Sequence, residues 1–141
     1  MPLEQTDENN PAHWFEFARE RLRCADELWR AFGPTWTVVE LLQEAVERFL
    51  KGYLVATGWR LRRTHDLQNL MHEAAQRDPR FTTYLPLARE LTEEFFAVHY
   101  PGGNVEEIGE HYAERREATA ALLELIKELL PQYDSESPPS T

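Results

Sequence analysis

Cysteine is all but missing from this chain. The single Cys24 excludes an internal disulfide and any zinc site built from cysteines. Glycine is sparse, at 6 residues in 141, and apolar residues nowhere alternate with the period of two that a half-buried strand shows. A sheet is therefore not expected. No apolar run approaches the roughly 18–20 residues that a membrane span needs. The opening Met1-Pro2-Leu3-Glu4-Gln5 has neither a basic region nor an apolar core, so no signal peptide is read. Together these absences predict a cytoplasmic protein without a membrane segment. The chain also lacks a glycine-rich phosphate loop, a Gly-x-Ser-x-Gly elbow and a pair of carboxylates placed for acid–base work. His72 and His111 stand isolated on helical segments. No metal and no cofactor are expected.

What the chain does have is acidic charge, unevenly spread. The net charge is −10, which repels a polyanion at long range. Residues 48–80 are the exception, with 7 basic and 3 acidic residues and a local charge of +4. Two readings of this basic segment stay open: a solvated turn, or a local anion site.

Apolar periodicity divides the chain into five helices. The first spans Pro11 to Phe32. Asn10 is its N-cap, Pro11 its first residue, and Gly33-Pro34 its stop. Its apolar stripe reads Trp14, Ala18, Leu22, Ala25, Trp29 and Phe32. The second runs from residue 35 or 36 to 56, with Gly58 as its stop. The third starts after Thr64, read as its N-cap, with Asp66 in the first turn where the helix dipole favours an anion; it ends near residues 78–79. The fourth spans residues 84–98. Pro86 fits only its first turn, so residues 81–83 form a turn or short irregular lead-in. The fifth follows Asn104 and ends at Leu130, before Pro131. Its stripe is Ile108, Tyr112, Leu122, Leu125, Ile126 and Leu129. Short links between long helices imply antiparallel neighbours. The fold class is all-α, an up-and-down bundle of about five helices over residues 11–131. Residues 1–10 and 132–141 are polar and are read as disordered. Trp14, Trp29, Phe95 and Phe96 are read as core. Four Trp, seven Phe and five Tyr give more aromatic area than one small core hides, which predicts a homodimer.

The most informative stretch is residues 43–66. On the second helix, Val38, Leu41, Leu42, Ala45, Val46, Phe49, Leu50 and Tyr53 form a broad apolar band. Gln43, Glu47 and Lys51 recur every fourth residue and share another face. That stripe is either solvated, with a Glu47–Lys51 pair worth about 0.2–0.5 kcal/mol, or turned towards a partner helix. After one turn comes Thr64-His65-Asp66-Leu67. His65 and Asp66 are either ordinary first-turn residues or, with Lys51, the lining of a ligand cleft. A helix N-terminus suits an anion and an imidazole suits a phosphate.

The sequence Gln43-Glu44-Ala45-Val46-Glu47-Arg48-Phe49-Leu50-Lys51, followed by Thr64-His65-Asp66-Leu67, resembles the HEPN family (higher-eukaryote and prokaryote nucleotide-binding domains). The resemblance covers about residues 11–101. It implies a helical bundle that usually dimerises. It also implies a minimal nucleotidyltransferase partner, since many relatives are encoded beside one or fused to one and some such pairs act as toxin and antitoxin. A second family hallmark, Arg-Tyr-Pro, reads His99-Tyr100-Pro101 here. The change to His99 removes a permanent charge and a bidentate phosphate fork, which weakens the case for nucleotide or RNA binding at that corner. Ribonuclease branches of the family carry Arg, four to six residues, then His, typically on a later helix. Arg60 and His65 have that spacing but precede the third helix. With 13 arginines and 5 histidines, chance alone gives about one such pair. The leading expectation is a non-catalytic binding and interaction module. Its ligand-binding candidates are Lys51, Arg60, Arg63, His65, Asp66 and His99, and no residue is assigned a catalytic role. The alternative is a metal-independent, toxin-type ribonuclease using Arg60 or Arg63 with His65 across a dimer cleft.

Overall fold

A computed structural model describes residues 5–98 and 101–134. Five α-helices, α1 (Pro11–Phe32), α2 (Trp36–Ala56), α3 (Leu67–Arg77), α4 (Leu85–Val98) and α5 (Val105–Leu129), carry the fold. Two short 3₁₀ turns, Pro79–Tyr84 and Pro131–Tyr133, complete it, and no strand occurs among the described residues. The chain is all-α, as its apolar periodicity predicts.

Local chemistry sets the helix ends. Asn10 and Asn104 each accept a backbone N–H two residues ahead, and Thr35 accepts from Val38. Gly33 ends α1 with φ +69°, a left-handed conformation that suits glycine. One start differs from expectation. The side chain that caps α3 is Asp66, accepting from Asn69 N at 3.1 Å, so Asp66 lies outside the first turn. Thr64 stands two residues earlier and accepts from Asp66 N at 3.1 Å. Both residue types can cap; the longer reach of the loop decides which does. The lead-in to α4 is the 3₁₀ turn, with Pro86 in the helix's first turn.

Helix α2 is the centre of the bundle and touches all four of the others, α1 most extensively. Its predicted band is buried, except Leu41 at its edge, and burial extends to Val39 and Leu54. The α1 stripe is shifted from expectation. Phe15, Ala18, Leu22 and Ala25 are buried, Trp14 and Trp29 only half so, and Phe32 is 73% exposed. Phe15 gains its place because Gly52 lets α1 approach α2 closely; a Cβ there would lie 2.7 Å from the Phe15 ring. Two further core assignments are corrected. Phe95 is half-buried and Phe96 is 63% exposed, where α4 and α2 leave a groove open between them. Helix α5 closes the other side. Tyr112 stacks on Trp29 at 4.3 Å and Arg116 holds Asp26 at 2.7 Å. Tyr133, which composition groups with the tail, packs its ring 5.3 Å from that of Phe15. Arg115 binds Glu94 at 3.0 Å across α4 and α5. Burial raises the Glu94 pKa from the ordinary carboxylate value, against the pull of Arg115.

Candidate functional site

Because α2 is packed against all four other helices, even its polar stripe is covered. Gln43, Glu47 and Lys51 are only 5%, 2% and 4% exposed. The solvated reading of the stripe is thus overturned. Cover comes from α1 and from the loop that leaves α2. Thr57 caps the end of α2, its Oγ1–H donating to the Tyr53 and Leu54 carbonyls at 3.0 and 3.1 Å. Gly58, at φ +93°, then reverses the chain. Trp59 anchors the return, with its backbone N–H on Leu54 O at 2.9 Å and its side chain buried. Arg62 lies 5.6 Å over the Trp59 ring and 3.1 Å from Glu73. The loop finally lays His65 across Glu47.

A buried carboxylate must be matched by donors. Glu47 accepts from Lys51 Nζ at 3.1 Å and from His65 Nδ1 at 3.1 Å to either oxygen, with Arg48 Nη1 at 4.0 Å. A carboxylate only accepts, so Nδ1 carries the proton and Nε2 is turned from Glu47. The His65 side chain is 84% exposed while its acceptor is buried. Lys51 is held from its other side by the Trp14 ring, 5.2 Å away. Trp14 is in turn fixed by its indole N–H on Glu8 O at 2.7 Å, and the Glu8 side chain meets Arg63 at 3.3 Å. Arg48 donates to Glu44 O at 3.1 Å, but its buried Nε has no hydrogen-bond partner among the described residues. Burial, then the nearby Arg21 cation, lowers the Arg48 pKa.

Two grooves open beside this cluster. The first is lined by Glu8, Trp14, Lys51, Leu61, Arg62 and Arg63. The second is lined by Gln43, Glu44, Thr92, Phe95 and Phe96. Glu47, Arg48 and His65 line both and form their common wall. The first groove gathers Arg48, Lys51, Arg62 and Arg63 against Glu8 and Glu47, a formal charge of +2 on a molecule of −10. It can attract a small anion that the molecule as a whole repels.

Of the six candidates, Lys51, Arg63 and His65 come together here. Arg60 does not: it lines a separate cleft with Trp59, Leu61, Arg62 and Glu73. Asp66 spends its carboxylate on the α3 cap. His99 lies outside the described residues. Glu8, Trp14, Arg48 and Arg62 join the groove although the sequence does not mark them as ligand-binding; Trp14 is read there as core. Only the +4 charge of residues 48–80 hinted at the two arginines; Glu8 and Trp14 arrive from α1 and its approach, which no local pattern connects to α2. Among the described residues, no group of three or more His, Cys, Asp or Glu side chains could hold a metal ion, and no helix is long and apolar enough to cross a membrane.

A family model described as HEPN domain matches residues 12–132. No curated protein and no solved structure matches the chain. The match runs from the start of α1 through α5, across the buried Gln43, Glu47 and Lys51 stripe and the loop that carries His65. The chain belongs to the HEPN domain family.

Proposed function

We propose that this domain is a non-catalytic binding and interaction module that holds a nucleotide or similar phosphate-bearing anion in the Lys51–Arg63–His65 groove. It acts in the cytoplasm as a homodimer, beside a minimal nucleotidyltransferase. The observation that carries the reading is the local positive charge around the groove on a strongly acidic chain. Arg62 and Arg63 are bound to Glu73 and Glu8 through exposed ion pairs. Such pairs are worth at most about 1 kcal/mol, so a phosphate can take over either guanidinium, with a bidentate fork. Lys51 gives one of its three N–H donors to Glu47 and is buried, so the exposed arginines make the main contacts. The test is calorimetric titration with ATP at low and at high salt. Binding that weakens with salt and falls several-fold in Arg63→Ala is expected; no heat at millimolar ATP would contradict it.

One observation favours a second reading, the ribonuclease. His65 is exposed, and Glu47 orients it through Nδ1, the arrangement a general acid or base requires. Arg63 is the only one of its two candidate arginines that shares a groove with His65 within the subunit. Incubation with labelled RNA separates the two. No efficient cleavage is expected, and cleavage abolished by His65→Ala would install the nuclease.

A further inference from the structure

The second groove lies beside the proposed anion groove and shares Glu47, Arg48 and His65 with it. Gln43 is 95% buried and lines it, but its amide has no hydrogen-bond partner among the described residues. The amide is not among the sealed polar atoms that lack a partner; it is reached from the groove and can take a donor and an acceptor from a ligand. Phe96, with its ring largely exposed, sits on the same groove beside Phe95 at 6.3 Å. Arg48 lines it as well. An aromatic face, an amide offering one donor and one acceptor, and a guanidinium make a set that fits a flat heterocycle with a hydrogen-bonding edge. Along the shared wall of Arg48 and His65 lies the basic groove.

We infer that the Gln43–Phe96 groove is a nucleobase subsite, so that the base of a nucleotide stacks on Phe96 and meets the Gln43 amide while its phosphates lie over Arg62 and Arg63. This rests on the proposed anion site and extends it across His65. The two grooves then read different halves of one ligand: charge gives attraction, and the base gives selection over inorganic phosphates.

The experiment compares ATP with tripolyphosphate by calorimetry, in the full chain and in Phe96→Ala and Gln43→Leu. Phe96 is exposed, so its replacement leaves the fold intact, which circular dichroism checks. ATP is expected to bind about tenfold tighter than tripolyphosphate, the scale of one stacked base. Phe96→Ala removes most of that ratio while leaving tripolyphosphate binding unchanged, and Gln43→Leu reduces it too. Equal binding of the two ligands by the unaltered protein overturns the base subsite and leaves the anion site standing. A ratio that survives both substitutions overturns it as well. So does a Phe96→Ala protein whose mass in solution changes while its ratio does not, since Phe96 then belongs to a subunit contact. Failure of both ligands to bind removes the anion site and the base subsite together.

Discussion

Glu47 is the residue on which the site turns. In a solvated stripe its pairing with Lys51 would contribute a few tenths of a kcal/mol. Buried, with its carboxylate shared between Lys51 and His65, it obeys a different rule: removing one partner strands the other's charge. Glu47→Leu is expected to cost about 3–5 kcal/mol in urea unfolding, because Lys51 is left buried and unpaired. Adding Lys51→Met to that variant should recover most of the loss. A single variant as stable as the parent would show that the pair is far better hydrated than its burial implies. Tyr112 offers a second test at this scale. Burial, helped by the Asp26 carboxylate, pushes its phenol up to about 12, and its hydroxyl has no hydrogen-bond partner among the described residues. The folded pKa lies above the unfolded value of about 10, so the unfolded chain releases its proton first. Stability is therefore lost as pH rises from about 10 to 12, by at most about 2–3 kcal/mol from this group. Tyr112→Phe should flatten that fall without lowering stability at neutral pH, since it deletes an unmatched hydroxyl. Tyr53, also raised by burial, keeps some slope in the variant. An unchanged alkaline profile would exclude Tyr112 as its source.

Among the elements, helix ends follow from local chemistry. Helices α1, α2 and α5 start at side chains that accept specific backbone N–H groups, and these caps are written in the residues next to them. The start of α3 was harder. Thr64 and Asp66 are both capping types two positions apart, and only the path of the returning loop selects Asp66. Asp66→Ala should accordingly cost about 0.5–2 kcal/mol, while Thr64→Ala costs less; the reverse order in thermal unfolding would restore Thr64 as the cap. The Gln43–Glu47–Lys51 face was visible as a face, because spacing of four fixes that much. Whether it met water was not visible. Its cover is Trp14 from α1 and His65 from the loop, contacts between residues far apart in the chain. The exposure of Phe96 escaped for the same reason: periodicity places a residue on a side of α4 but does not say how far its neighbours extend.

For the whole molecule, charge and aromatic exposure set the terms. Net charge of −10 keeps copies and polyanions apart at long range, so any anion must be drawn by the local groove at short range. Phe17, Phe32, Trp36 and Phe96 remain exposed on one subunit. The homodimer we propose would cover part of that apolar area. Light scattering at micromolar concentration should give twice the 16.5 kDa subunit mass; the subunit mass itself would contradict it. We propose that a nucleotide is held where the α2 stripe meets the loop before α3. The measurement that addresses it most directly is a backbone amide NMR titration of the protein with ATP. The largest shifts are expected at residues 47–51 and 62–66 and at the Trp14 indole, saturating together. Shifts confined to other parts of the bundle, or none at millimolar ATP, would contradict the account.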